Sequence, residues 1–175
     1  HLRWTLLNDA SMDHMADTGI KGVDLYVKEA GQWRYVNTAR PSGMSNEARL
    51  ISGMSRELRE FKLYLPLYDG IADLEIGIEA DASIETPAPA PGRPIIFYGT
   101  SITQGGCASR PGMAHTNIIA RKLDIDCVNL GFSGNGKMET PIVELMAETG
   151  ARFYVVECLP NMTAAEVAAR TAPLV

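Results

Sequence analysis

Residues 94–106 read PIIFYGTSITQGG, an apolar run that meets a glycine-rich turn carrying a serine. The run Ile95–Tyr98 consists of β-branched and aromatic residues and stops at Gly99, which is typical of a buried strand ending in a tight turn. A helix is predicted after a short loop, at about 112–122. Ser101 would then stand at the carboxyl end of a strand, where open α/β sheets place their chemistry. An ordinary turn explains the same residues equally well, because serine, threonine and glycine are common in turns.

Strands and helices alternate along the rest of the chain. We predict strands at 125–130 and 152–157, and helices at 138–149 and 164–172. Such alternation implies a parallel sheet with right-handed crossovers, so residues 94–175 are predicted to form an α/β domain with a three-layer open sheet. Open sheets usually contain more strands than these residues supply, so we expect the domain to be incomplete at its C-terminal end.

Residues 1–85 show a different pattern, in which apolar and polar positions alternate over short segments. A hairpin is predicted from 23–28 and 33–36, and further strands are predicted at 48–52, 60–65 and 72–80. We therefore predict a small antiparallel β-sandwich. Trp33 and Tyr35 could stack on a sugar, although cross-strand packing explains this pair more simply. Residues 86–93 are predicted to be a proline-rich linker, because alternating prolines favour stiff, extended backbone.

Composition excludes few functions. The chain has 175 residues, of which 46% are hydrophobic and 21% are charged, as is ordinary for a globular protein. The net charge of -5 argues against a nucleic-acid partner, whose binding usually requires a basic patch. No apolar run is long enough to predict a membrane span. The cysteines, at positions 107, 127 and 158, lack metal-ligand spacing and are expected to be buried free thiols.

Polar or small residues follow each of the predicted parallel strands: Ser101 after the first, Gly134 after the second and Asn161 after the third. Because the carboxyl ends of parallel strands share one edge, we expect these residues to converge. Acyl transfer needs a nucleophile and donors aimed at the developing oxyanion. The Ser101 hydroxyl can be the nucleophile. The backbone N–H groups of Ser101 and Gly134 and the Asn161 side chain can be the donors.

Three short segments resemble the first three sequence blocks of the SGNH hydrolases, the GDSL-type esterases and lipases: GTSITQG at 99–105, NLGFSGNG at 129–136 and LPNMT at 159–163. The resemblance implies a flavodoxin-like sheet and a serine esterase that acts through an acyl-serine intermediate. It implies Ser101 as nucleophile, with Gly134 and Asn161 completing the oxyanion hole. No metal or organic cofactor is expected, and the expected partner is a small-molecule or glycan ester such as an O-acetylated carbohydrate.

A further resemblance lies in the N-terminal half. Residues 22–26, GVDLY, are similar to the GxDLY signature of the β domain that precedes one branch of these esterases. The resemblance therefore covers nearly the whole chain and implies a β domain at 1–85 followed by a hydrolase domain at 94–175.

The chain departs from the family pattern in two respects. Thr100 stands where the family usually has an aspartate, so its hydrogen bonds are expected to differ. The family's late block with the catalytic histidine is absent from these residues. His115 could act as a base, but we interpret it as a surface residue of a helix. The base is therefore expected beyond Val175, in a longer enzyme.

Two other functions fit parts of the sequence. Gly131–Lys137 matches GxxxxGK between a strand and a helix, as in a nucleotide-binding P-loop. Met138 then stands where a P-loop has the serine or threonine that binds Mg²⁺, and a thioether is a poor ligand for that ion. The other alternative is a non-catalytic carbohydrate-binding module, in which the β domain binds glycans beside an inert α/β domain.

Overall fold

The computed structural model describes residues 1–88, 90 and 92–174. They form two compact units: the first comprises residues 1–88 and Cys107–Met113, and the second comprises residues 90, 92–106 and 114–174. The chain therefore leaves the second unit after Gly106 and returns to it at Ala114. Within the predicted linker, Pro89 and Pro91 lie outside the described residues, as does Val175 of the predicted α/β domain. The domain limits inferred from sequence stay predictions.

The first unit contains two antiparallel sheets of three strands each. In chain order its elements are β1 (Leu2–Leu6), α1 (Asp17–Ile20), β2 (Val23–Glu29), β3 (Gln32–Ala39), β4 (Ser45–Ala48), β5 (Phe61–Tyr64) and β6 (Ile71–Ile76). The strand orders are β4-β1-β6 and β3-β2-β5. The strand predicted at 48–52 was wrong, because Leu50 is buried in the core from an irregular segment and not from a strand.

The core of this unit is built from alternate residues of its strands. Leu2, Trp4 and Leu6 on β1 are buried and share one cluster with Val23 and Leu25 on β2, so both sheets contribute to the same core. This spacing follows from the two-residue period of a strand. The antiparallel sheets predicted from sequence are confirmed, whereas the sandwich arrangement stays a prediction.

The aromatic pair of β3 packs across strands. Trp33 lies opposite Lys28 on β2, and the Lys62 ammonium is 4.5 Å from the centroid of the Trp33 ring. The Tyr35 ring meets the edge of Tyr26 at a centroid distance of 5.7 Å. Both rings therefore take part in cross-strand contacts of the kind that stabilise a sheet.

The second unit is an α/β structure with a parallel sheet. Its elements are β7 (Ile95–Gly99), α2 (Ser101–Gln104), α3 (His115–Leu123), β8 (Cys127–Gly131), α4 (Thr140–Glu148), β9 (Phe153–Glu157) and α5 (Ala164–Leu174). The strand order is β8-β7-β9, and all pairing is parallel. Gly99 pairs with Gly131 on one side and with Glu157 on the other, so the strands end at one level. The predicted α/β class and parallel sheet are confirmed.

Helices cover both faces of this sheet. Ile96 and Tyr98 of β7 share a buried cluster with Met146 of α4. Phe97, which points to the other face, meets the His115 ring of α3 at a centroid distance of 5.9 Å. Within the described part of the chain, no helix combines the length and the apolar character required to cross a bilayer.

Candidate active site

Ser101 is the first residue of α2, which begins where β7 ends. Thr100 caps this helix, because its Oγ1 accepts a hydrogen bond from the Ile102 N–H at 3.2 Å. Gly105, with a φ of 112°, ends the helix after one turn. Sequence reasoning predicted a loop here, although a threonine cap and a closing glycine are the usual signals of a short helix. The helix places the half-buried Ser101 at the edge of the sheet.

Glu157, at the end of β9, anchors the turn that carries Ser101. Its Oε2 accepts hydrogen bonds from the Thr100 hydroxyl at 2.6 Å, the Thr100 N–H at 3.2 Å and the Thr103 hydroxyl at 3.1 Å. Thr100 and Thr103 are both buried. The Thr100 hydroxyl thus donates to a carboxylate and also caps α2, which an aspartate at this position could not do. Sequence reasoning did not assign this role to Glu157, because its partners lie more than fifty positions away.

We expect Thr100→Val to lower the free energy of unfolding by about 1–3 kcal/mol, because it removes the helix cap and leaves the Glu157 carboxylate with fewer donors. Denaturant unfolding measures this loss. The matched control is Thr171→Val, which removes one hydroxyl hydrogen bond to the Val167 carbonyl on an exposed part of α5. Equal losses in the two variants would contradict the anchoring role of Thr100.

Gly134 lies in the loop after β8, next to the Ser101 turn. The Phe132 N–H donates to the Gly99 carbonyl at 2.9 Å, and the Ser133 N–H donates to Gln104 Oε1 at 2.8 Å. Gly134 is exposed, has a φ of 70°, and would place a Cβ in open space. No described residue accepts a hydrogen bond from its N–H. This donor is therefore available to a ligand.

Asn161 closes the one-turn 3-10 helix Leu159–Asn161 that follows β9. Its Nδ2 donates to the carbonyl of Asn135 at 2.7 Å, so its carboxamide lies beside the Gly134 loop. A carboxamide has two N–H donors, and no other residue in the described ranges accepts from this one. At Gly136 a Cβ would lie 2.1 Å from the Gly99 carbonyl, so this loop packs directly on the end of β7. The structure thus brings together the three segments that carry Ser101, Gly134 and Asn161, while their roles stay predictions.

His115 is the first residue of α3 and is exposed. Its ring contacts Phe97, and no hydrogen bond joins it to another part of the chain that the structure describes. A general base in an acyl-transfer site is normally held in place by a hydrogen-bonding partner. The geometry therefore favours our interpretation of His115 as a surface residue.

A tyrosine–glutamate pair lies beneath the loop after β8. The buried Tyr98 hydroxyl donates to Glu139 Oε2 and accepts from the Glu139 N–H at 3.1 Å. Burial, together with the bond to Glu139, raises the pKa of Tyr98 to about 12. Burial also acts to raise the pKa of Glu139, but hydrogen bonds from Tyr98 and from backbone N–H groups outweigh it, so that pKa is lowered. The proton therefore stays on Tyr98, and Glu139 is an anion at neutral pH.

None of the cysteines, all of which the structure describes, forms a disulfide, and only Cys158 is buried. Cys107 is exposed and Cys127 is half-buried, so the expectation of three buried thiols was wrong. Cys107 lies outside regular structure at a φ of 63°, where the chain leaves the second unit. Burial raises the pKa of Cys158, so its thiol stays protonated and is a poor nucleophile.

The GxxxxGK segment is not arranged as a phosphate cradle. Lys137 Nζ lies 3.7 Å from Glu166 Oε1, and the Lys137 N–H donates to Glu139 Oε2 at 2.8 Å. Helix α4 begins only at Thr140, beyond the lysine. A P-loop needs its lysine and its N–H groups for phosphate. Here the ammonium and the N–H of Lys137 both already have carboxylate partners, so nucleotide binding is less well supported than ester hydrolysis.

Comparison with known families matches both halves of the chain. Residues 92–175 match the GDSL-like lipase/acylhydrolase family. Residues 1–84 match the GxDLY family, described as the N-terminus of SGNH hydrolase-type esterases. No curated protein matches the sequence.

Solved structures share the fold. A protein from Bacteroides ovatus, described as a GDSL-like lipase, is 37% identical with a TM-score of 0.92, and the match covers 99% of this chain and 51% of that one. The salicylyl-acyltransferase SsfX3 from a tetracycline biosynthetic pathway is 14% identical with a TM-score of 0.65, over 96% of this chain and 46% of that one. A family two carbohydrate esterase from Clostridium thermocellum, solved with cellohexaose, is 17% identical with a TM-score of 0.52, over 78% of this chain and 43% of that one. The last two show likeness of fold alone, and the chain spans about half the length of the protein from Bacteroides ovatus.

Proposed function

Because residues 92–175 belong to the GDSL-like lipase/acylhydrolase family and follow a GxDLY-type N-terminal domain, we propose that the protein is a serine esterase. The observation that carries the proposal is the meeting of three segments at one end of the parallel sheet. Ser101, Gly134 and Asn161 lie on these segments, and hydrogen bonds join each segment to its neighbour.

The reaction proceeds in two steps. The Ser101 oxygen attacks the carbonyl carbon of the ester, the C–O bond to the alcohol breaks, and the alcohol leaves with a proton. Water then attacks the acyl-serine, releases the carboxylic acid and restores the Ser101 hydroxyl. For the general base we propose a histidine outside residues 1–175, because His115 lacks the orienting contact that the role requires.

The developing negative charge on the ester oxygen needs donors that are already in place. The Gly134 N–H and the second N–H of Asn161 are the donors that we propose, together with the Ser101 N–H at the start of α2. Gly134 and Asn161 each offer an N–H without an acceptor among the residues described. The anchoring of the Ser101 turn by Glu157 supports this assignment, because a preorganised site loses little energy to rearrangement during the reaction.

For the substrate we propose a short acyl ester of a small molecule or a glycan, such as an O-acetyl group on a carbohydrate. The exposed loop around Gly134 leaves room for an acyl group. Rates on acetyl, butyryl and longer esters of one chromogenic alcohol test this preference. Faster turnover of the long acyl chains would contradict it.

Serine-directed fluorophosphonate labelling of the full-length enzyme tests the proposed nucleophile. We expect one label at Ser101, located by peptide mass mapping, and loss of the label in Ser101→Ala. The control is Ser133→Ala, which removes an exposed serine on the neighbouring loop and should leave labelling intact. An unlabelled enzyme that is stabilised by Mg-ATP would favour the P-loop alternative, and one that binds glycans would favour the module.

A further inference from the structure

The GxDLY segment places a fully buried carboxylate in the first unit, and no step of the proposed reaction uses it. Asp24 is 0% exposed. Its Oδ1 accepts from the Thr38 hydroxyl at 2.7 Å, and its Oδ2 accepts from Arg110 Nη1 at 2.7 Å and from the Gly112 N–H at 2.8 Å. A buried carboxylate is tolerated only when it is paired and hydrogen-bonded. Two of its three donors belong to Cys107–Met113, the segment that the chain inserts into this unit.

The tyrosine of the same signature holds the same arginine. Tyr26 lies two residues beyond Asp24 on β2, so both side chains point to one face of the strand. Arg110 Nη1 lies 2.7 Å from the Tyr26 hydroxyl, and the Arg110 guanidinium is 4.0 Å from the centroid of the Tyr35 ring. The aspartate and the tyrosine of GVDLY thus act together on Arg110.

Close backbone packing completes these contacts. A Cβ at Gly112 would lie 2.7 Å from Asp24 Oδ2 and 2.6 Å from the Tyr26 hydroxyl, so a larger residue does not fit there without a shift. On the other side of the segment, the Thr18 hydroxyl donates to the Ser109 carbonyl at 2.6 Å. We refer to Asp24, Tyr26, Arg110 and Gly112 as the clamp.

The clamped segment is joined to the Ser101 helix by a short connection. Only Gly105 and Gly106 lie between the end of α2 and Cys107. The Ser101 carbonyl accepts hydrogen bonds from both glycines, at 3.2 Å from the Gly105 N–H and at 2.8 Å from the Gly106 N–H. Displacement of the segment would therefore move Gly106, which precedes Cys107 and is hydrogen-bonded to the Ser101 carbonyl.

We propose that Asp24 is a positioning residue for the nucleophile: through Arg110 and Gly112 it holds the segment 107–113, and so holds the chain that leaves the Ser101 helix. This inference rests on the proposed role of Ser101. It gives the GxDLY signature a physical task, which is to fix a piece of the hydrolase chain within the N-terminal unit.

Asp24→Asn in the full-length enzyme tests the clamp, because the amide has nearly the same shape but lacks the negative charge that pairs with Arg110 and has one acceptor oxygen fewer. We expect kcat on a small chromogenic ester to fall by about 10–10²-fold with a smaller change in KM, because slight misplacement of a reacting group costs rate. Hydrogen exchange of residues 105–113 should become faster.

The matched control is Asp69→Asn. Asp69 is also buried, at 5% exposure, and accepts from the N–H groups of Asn8 and Ala10, away from the clamped segment. This variant should lose thermal stability but keep kcat within about threefold, since its contacts serve packing alone. Gly112→Ala disturbs the clamp on the inserted segment, because its Cβ would collide with Asp24 and Tyr26. It should reproduce the effects of Asp24→Asn on both kcat and hydrogen exchange.

Unchanged exchange of residues 105–113 in Asp24→Asn and Gly112→Ala would overturn the proposal, as would an equal fall of kcat in Asp69→Asn. Failure of the proposed function has a different signature. In that case the unaltered enzyme shows slow exchange at 105–113 but takes no phosphonate label at Ser101. Fast exchange and slower labelling of Ser101 in both clamp variants, with the control unaffected, would support the clamp.

Discussion

Ser101→Ala is expected to reduce kcat of the full-length enzyme by about 10⁴–10⁶-fold. Alanine removes the oxygen that we propose as the nucleophile, so the two-step route through an acyl-enzyme would be closed. The remaining rate would come from direct attack of water on an ester held by the oxyanion donors. Little change in KM is expected, because the hydroxyl contributes mainly to the transition state.

Ester hydrolysis under saturating substrate and burst kinetics of alcohol release measure this loss. Ser133→Ala serves as the control, since Ser133 lies on the adjacent loop and its backbone N–H, which donates to Gln104, is retained in the variant. Full activity of Ser101→Ala would remove Ser101 from the mechanism. A comparable loss in Ser133→Ala would point to damage of the loop and not to loss of the nucleophile.

Asn161→Ala should lower kcat by about 10²–10³-fold, the usual result of removing one oxyanion donor. In the proposed role the side chain would meet full negative charge only in the transition state, so kcat should fall more than KM rises. The variant also loses the hydrogen bond from Asn161 to the Asn135 carbonyl, which joins this residue to the Gly134 loop.

Asn135→Ala separates these two effects. It removes a neighbouring carboxamide, which donates to the Ser133 carbonyl at 3.1 Å, but keeps the backbone carbonyl that Asn161 uses. We expect this control to retain kcat within about threefold, because it leaves the donor from Asn161 in place. Unchanged turnover in Asn161→Ala would show that its carboxamide does not meet the oxyanion.

The parts of the fold that were predicted correctly depend on neighbours along the chain. The apolar run 95–98 and its glycine stop are local signals, and they mark β7 and the turn after it. The one-turn helix α2 was missed because four residues are too few to show a helical period. The strand at 45–48 was misplaced because burial of Leu50 does not require regular structure.

The order of the motifs along the chain indicated the family and the three loops of the candidate site, since the ends of parallel strands must share an edge. The hydrogen-bond partners of the half-buried Glu157 and of the buried Asp24 could not be predicted from any local pattern. Glu157 accepts hydrogen bonds from Thr100 and Thr103, which lie 57 and 54 positions away. Asp24 accepts one from Arg110, which lies 86 positions away. Periodicity indicates which face of an element is apolar, whereas the packing of distant segments determines which donors reach a carboxylate. The contact between the GVDLY strand and the segment 107–113, which follows the Ser101 helix, was therefore decided by the tertiary structure and not by any sequence pattern.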